Sequence, residues 1–206
     1  MEVRLLEYCV TSNHVHLLVD TPEREQMSTM MQRVAGEFAR AYNRRKGRLN
    51  AYWGDNYHAT AVEEGPYLWR CLVYIEMNMV RCGVVKHPRE WEWVGYREIM
   101  GARKRYRLVD VDRLCWRLQT GDVNEVRKNL EQSVAERIAQ DRMTREPWWT
   151  QALAVGSREF VGAVEPRIQT RRELEVEETE TGWLLKDECI PYKARTGPEN
   201  ACKAMD

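Results

Sequence analysis

Four residues of this 206-residue chain have types and spacing suited to chemistry: His14 and His16, two apart, and Tyr74 and Asn78, four apart. In a strand, residues two apart point to one face, so the two histidines would present their imidazoles side by side while Val15 and Leu17 enter the other face. Neutral imidazoles ligate Mn, Zn and similar ions, and a site completed by oxygen ligands and water takes Mg or Mn where the substrate is a phosphate. The same pair also reads as two histidines satisfied by hydrogen bonds or half exposed on a sheet face. In a helix, residues four apart share a face, which would add to the site a phenol able to act as a covalent nucleophile and an amide oxygen able to act as a hard ligand. Attack of the Tyr74 oxygen on a phosphodiester needs a metal to polarise the phosphate and stabilise the developing charge. The plain alternative is a half-buried helix tyrosine with its hydroxyl at the surface, beside an ordinary polar asparagine.

The elements that must position these residues are legible in the patterning. Residues 2–9 and 14–19 read as two strands joined through Thr11-Ser12-Asn13, a hairpin by turn chemistry. Apolar or small residues at Met27, Met30, Met31, Val34, Phe38, Ala41 and Tyr42 recur with a helical period that ends in basic residues and Gly47. Residues 56–63 read as a strand, and Gly65-Pro66 opens a second helix through Leu68, Leu72, Ile75 and Met79 that closes at Gly83. The first part of the chain is therefore β-β-α-β-α. Trp91-Glu92-Trp93 and Tyr96 read as an aromatic lid on the core. Residues 109–119 and 122–141 read as helices, and Trp148-Trp149 to Val164 as one or two more. From Arg171 onward, acidic residues and late prolines suggest a loosely held tail with one short strand at Trp183-Leu184-Leu185.

Bulk properties set the class. No run approaches the ~18 consecutive apolar residues of a membrane span, and residues 1–20 carry no signal-peptide core, which reads as a cytoplasmic protein. Cys9, Cys71, Cys82, Cys115, Cys189 and Cys202 form no C-x-x-C pair, against a zinc ribbon. A net charge of zero conceals an asymmetry, since residues 1–107 hold 17 Lys/Arg against 13 Asp/Glu, whereas residues 108–206 hold 15 against 19. Within the first half the clusters Arg44-Arg45-Lys46 with Arg48, and Arg103-Lys104-Arg105 with Arg107, have the local charge density that attracts phosphates, although solvated helix ends would look the same.

Three segments carry a resemblance. Residues 8–19, running Tyr8-Cys9-Val10-Thr11-Ser12-Asn13-His14-Val15-His16-Leu17-Leu18-Val19, resemble the "Y-x-x-x-x-N-H-V-H-L-L" segment of HUH single-tyrosine transposases, in particular the REP-associated tyrosine transposase branch. Tyr74-Ile75-Glu76-Met77-Asn78-Met79-Val80-Arg81-Cys82-Gly83 is similar to that branch's "Y-I-x-x-N-P-V-R-A-G". Pro88-Arg89-Glu90-Trp91-Glu92-Trp93 with Tyr96 follows its "P-x-x-W-x-W-x-x-Y". The resemblance covers roughly residues 2–100. It implies an α+β fold: a ferredoxin-like HUH domain, an antiparallel sheet with two helices, over residues 1–107. A mainly helical extension (108–170) and an acidic tail (171–206) would follow. It further implies that His14, His16 and Asn78 hold Mg or Mn, and that Tyr74 attacks a phosphate of single-stranded DNA near a hairpin, leaving a 5′-phosphotyrosine and a 3′-hydroxyl that can rejoin. Arg40, Arg44, Arg45, Lys46, Arg48 and Arg81 are the expected DNA contacts, and unpaired bases would stack on tyrosine or tryptophan. Tyr42 is a weaker nucleophile candidate, because position 46 holds lysine instead of an amide ligand.

Two departures from the family pattern stand out. Met79 replaces the proline that follows the asparagine, which should leave the helix more regular. The family's initial strand and helix precede the hairpin, whereas here Met1 opens almost directly on it. A shortened domain of this kind would leave a sheet edge open unless a partner chain, such as a second copy in a homodimer, or the C-terminal half covers it. Two other functions remain alongside the nicking enzyme: a hairpin-binding remnant that no longer cuts, and a metal-dependent nuclease that uses water.

Overall fold

The computed structural model describes residues 2–54, 56–168, 170 and 172–187. The architecture is α+β, and the first elements follow the expected order: β1 (Arg4–Val10), β2 (Val15–Asp20), α1 (Arg24–Lys46), β3 (Ala61–Val62) and α2 (Pro66–Glu76), continued by the short α3 (Asn78–Arg81). β1 and β2 pair as an antiparallel hairpin, with Cys9 opposite His16. Its turn is closed by Thr11, whose amide donates to the His14 carbonyl at 2.9 Å and whose hydroxyl accepts from the His14 amide at 3.1 Å. α1 stops at Gly47, which sits at φ 61° in the left-handed region that glycine adopts without strain.

Leu6, Glu7, Tyr8 and Cys9 are all buried, so β1 is covered on both faces and is not the half-solvated strand of a simple hairpin. Helix α2 packs against it, and its Leu68, Leu72 and Ile75 lie in the same buried core as Leu6 and Tyr8. Its second edge is covered within the chain. The Val10 amide donates to the Trp93 carbonyl at 2.8 Å, the Gly95 amide to the Tyr8 carbonyl at 3.0 Å, and the Asp110 amide to the Leu5 carbonyl at 2.8 Å. The expected aromatic lid is thus an edge cover: Trp91 donates its indole N–H to the Val10 carbonyl at 3.0 Å. Two buried carboxylates fasten it. Glu7 accepts from the Gly95 amide, and Glu98, in α4 (Tyr96–Ile99), accepts from the Tyr8 hydroxyl and from the Leu108 and Val109 amides. Arg103 is drawn into the same network through the Tyr8 hydroxyl and the Glu92 carbonyl, while Lys104, Arg105 and Arg107 remain exposed.

The remaining helices, α5 (Val111–Arg117), α6 (Val123–Ala139) and α7 (Trp148–Gln151), extend the same core through Leu114, Val126, Leu130, Val134 and Trp149. Arg117 reaches both Asp20 and Glu64, and Arg113 also reaches Asp20, tying α5 to the end of the hairpin and the start of α2. Burial alone would raise the Asp20 pKa, but the two guanidiniums outweigh it and hold the carboxyl below its usual range.

Elsewhere the structure departs from the patterning. β3 is only Ala61–Val62, and it pairs in parallel with β4 (Ala154–Gly156) instead of joining the β1–β2 hairpin. β4 falls between α7 and α8 (Arg158–Val164), where the sequence reads as helix throughout; with β5 (Leu174–Thr179) and β6 (Gly182–Asp187) it completes a sheet of order β3-β4-β6-β5. The expected strand at Trp183-Leu184-Leu185 lies in β6, and the acidic segment before it, Leu174-Glu175-Val176-Glu177-Glu178-Thr179, is a paired strand and not a loose tail. Leu184 and Leu185 bury against the core and α8, which offsets the cost of ordering this acidic hairpin. Cys189, Cys202 and the end of the tail lie outside the described residues. Among the described residues no helix is long and apolar enough to cross a membrane.

The edge of β1 yields two predictions. A Cβ at Gly95 would lie 2.5 Å from both Glu7 carboxylate oxygens, so Gly95→Ala forces strand and cover apart; we expect destabilisation of about 1–3 kcal/mol in urea unfolding. Burial pushes the Glu7 carboxyl up to about 8, and Glu76, facing it from α2, is also raised well above the usual range by burial and by Glu7. Burial and the facing carboxyl thus favour one proton shared by the Glu7–Glu76 pair in the folded chain. The folded chain therefore holds a proton that the unfolded chain releases above pH ~4.5, and stability falls as pH rises through the interval up to about 8. Thermal melts between pH 4.5 and 8 should show a weaker downward slope for Glu7→Gln than for the parent, every other titrating group being common to both; identical slopes refute proton sharing.

Candidate catalytic site on the hairpin and the second helix

His14 flanks the start of β2 and His16 lies in it, and the pleat brings their rings together as the spacing predicts. The Nε2 atoms are 3.1 Å apart and the ring centroids 4.8 Å apart. The other nitrogen of His14 is held by the turn, with Nδ1 2.7 Å from Asn13 Oδ1 and 3.0 Å from Thr11 Oγ1. An oxygen acceptor on Nδ1 keeps the proton there and leaves the Nε2 lone pair free, the arrangement that prepares imidazole for a metal. Partial desolvation and the Arg145 guanidinium lower the His14 pKa. Burial, His14, Arg81 and Arg145 push His16 down to about 3, so it stays neutral across the physiological range.

Tyr74 approaches from α2. Its ring centroid is 6.3 Å from that of His16, edge to face, and the residue is only 3% exposed. Two groups close over it. The Arg81 guanidinium carbon lies 3.9 Å from the centre of the Tyr74 ring, and Trp149 of α7 stands 6.3 Å away on another side. Arg81 also donates to the Tyr74 carbonyl at 2.7 Å. The helix divides at Met77 even though Met79 stands where the family has proline. Arg81 gives the Tyr74 carbonyl a partner outside the helical ladder, so the interruption does not depend on a proline.

Asn78 begins α3 and is 5% exposed, and its Oδ1 has no hydrogen-bond partner. An orphaned buried amide oxygen costs free energy unless something accepts its lone pairs, and a cation is one such group. By donor type, two neutral imidazoles and a hard amide oxygen suit a divalent ion whose remaining positions are filled by water or phosphate oxygen. The 3.1 Å between the Nε2 atoms is close to the ~3 Å separating adjacent ligands around one octahedral ion with ligand distances near 2.1 Å. Among the described residues no group of three His, Cys, Asp or Glu is placed to hold a metal.

The expected DNA contacts divide. Arg81 lies against Tyr74. Arg40, Arg44, Arg45, Lys46 and Arg48 sit at the far end of α1 and just beyond it, where Tyr42 stacks on Phe38 and lies tilted against Tyr52 in a cluster of its own. Asn13, Trp149 and Arg145 were not legible as site residues: Asn13 reads as turn chemistry, and the other two come from a region with no recognisable motif. For Asn13 the signal was its position directly before the first histidine, which lets its amide oxygen reach Nδ1.

If Asn13 orients His14, Asn13→Ala should weaken Mn binding by about 10- to 100-fold in calorimetric titration while leaving the thermal midpoint nearly unchanged. Undiminished affinity would mean that Asn13 shapes only the turn. No curated protein and no solved structure matches the chain. Residues 1–78, a span that holds both histidines, Tyr74 and, as its last residue, Asn78, match the family model described as "Transposase IS200 like", and this N-terminal part of the chain is accordingly similar to those transposases.

Proposed function

We propose that the chain is a transposase-type enzyme of the cytoplasm that nicks and rejoins single-stranded DNA at hairpins, with Tyr74 as nucleophile. The observation that carries this reading is the convergence of Tyr74 from α2 with the His14–His16 pair. The segments at 74–83 and 88–96 favour the REP-associated branch. Residues 1–107 would hold the chemistry, and the helical residues 108–170 would close the site through Trp149.

In this reading the Tyr74 oxygen forms a bond to phosphorus as the bond to the 3′-oxygen breaks. The phenolic proton passes to solvent, and the departing oxygen takes up a proton to become a free hydroxyl. One phosphodiester is exchanged for another, so the 3′-hydroxyl can reverse the step and reseal the strand. His14, His16 and Asn78 would hold Mg or Mn, which supplies charge stabilisation at the phosphate. Arg81 keeps the Tyr74 ring in place and sets a positive charge beside the attacking oxygen's helix turn, while Arg40, Arg44, Arg45, Lys46 and Arg48 contact DNA phosphates.

A second reading draws on the burial of Tyr74 beneath Arg81 and Trp149: a protein that binds hairpins without cutting them. Incubation of labelled hairpin DNA with the chain and Mn or Mg separates the two. The enzyme gives a covalent protein–DNA adduct that Tyr74→Phe abolishes. Binding with no adduct establishes the second reading, and cleavage that survives Tyr74→Phe identifies water as the nucleophile.

A further inference from the structure

The longest helix of the protein makes the least use of its apolar residues. None of the residues of α1 is buried, and Val34 is 55% and Phe38 46% exposed. The loop after the helix does not cover them but adds to them. It folds back through three hydrogen bonds, Trp53 Nε1 to the Ala35 carbonyl at 2.9 Å, Asn43 Nδ2 to the Asn50 carbonyl at 2.8 Å, and the Arg48 amide to the Asn43 carbonyl at 2.9 Å. This sets Tyr52 4.7 Å from Tyr42 and 5.0 Å from Phe38, and Trp53 5.7 Å from Phe38, in a cluster whose outer member, Trp53, is 40% exposed. A fixed group of four aromatic rings outside the core implies an occupant with flat apolar faces.

Charge decides which occupant. From Phe38 to Gly54 the chain has five cations, Arg40, Arg44, Arg45, Lys46 and Arg48, and no Asp or Glu. Among the described residues none of the five is paired with a carboxylate, and the guanidiniums of Arg45 and Arg48 lie 5.9 and 5.8 Å from the centre of the Tyr42 ring. A second copy docking face to face would bring two such patches together and be repelled. Unpaired DNA offers stackable bases and phosphates at once, the combination that aromatic rings interleaved with arginines recognise.

We infer that the C-terminal half of α1 and the loop 47–53 form a stacking platform for single-stranded DNA, centred on Phe38, Tyr42, Tyr52 and Trp53 and distinct from the Tyr74 site. The inference deepens the transposase reading and rests on it for the nature of the nucleic acid. Its test needs no nicking: binding of a labelled oligothymidylate to the full chain carrying Tyr74→Phe, without added metal, followed by fluorescence anisotropy. Trp53→Ser and Phe38→Ser should each weaken binding about tenfold with the salt dependence nearly unchanged. Arg44→Ala and Arg48→Ala should reduce the salt dependence itself. Trp53→Phe should retain most of the affinity. Should Trp53→Ser unwind α1 by circular dichroism, Trp53→Leu decides, because it keeps the apolar packing without a π face: weak binding supports the platform and full binding overturns it. Failure of the parent chain to bind, aromatic variants within twofold of the parent, or a parent dimer that Trp53→Ser converts to monomers would each overturn it. Absence of a Tyr74 adduct in the hairpin assay leaves this outcome unaffected, so the two readings fail separately.

Discussion

The second edge of β1 is the constraint on which the rest of this protein depends. A two-stranded hairpin cannot hold a site by itself, because one edge would offer unpaired amides and carbonyls to any passing strand. Here residues 91–110 supply those partners, and Glu7 and Glu98, both buried, anchor the cover to the strand. Burying carboxyl groups is expensive, and the protein meets the cost in two ways: backbone and hydroxyl donors surround Glu98, and Glu7 shares a proton with Glu76. With its edge closed, β1 can be buried on both faces, and α2 can pack on it and carry Tyr74 to His16.

The site inherits its order from this frame. The histidine pair needs only the pleat of β2 and the Thr11–Asn13 turn. Tyr74 needs the contact between α2 and β1, and its immediate surroundings come from two further places, Arg81 in the next short helix and Trp149 almost seventy residues beyond it. The groups that cover Tyr74, Arg81 and Trp149, and the charges that lower the histidine pKa values, Arg81 and Arg145, come in part from the same places in the chain. α1 stands apart, contributing nothing to the core, and its aromatic and basic residues face outward.

How much of this was legible follows from the range of the interactions involved. The hairpin and helices α1, α2, α5 and α6 are set by local periodicity, caps and turn residues, and they lie where the patterning places them. β3 and β4 are two- and three-residue strands in a sheet joined across about ninety positions, too short to register as a period. The acidic β5 strand reads as a loose tail because nothing local reveals that Leu184 and Leu185 of β6 find apolar neighbours. Arg103 reads as part of a basic patch, yet its guanidinium is engaged by Tyr8 and Glu98, more than ninety positions and five positions away.

By itself, then, the sequence determined which residues could do chemistry and that His14 and His16 would share a face, because a spacing of two acts through the fixed geometry of a strand; the face expected for Tyr74 and Asn78 is instead interrupted where the helix divides at Met77. It also determined the resemblance to IS200-like transposases over the N-terminal part. Only the tertiary structure decided that Tyr74 meets His16, that Asn78 is left with an unpartnered oxygen, that Tyr42 belongs to a separate aromatic cluster, and that the open edge of β1 is closed from within the chain. Those outcomes depend on packing between segments distant in sequence, where no periodicity operates and burial selects the partner.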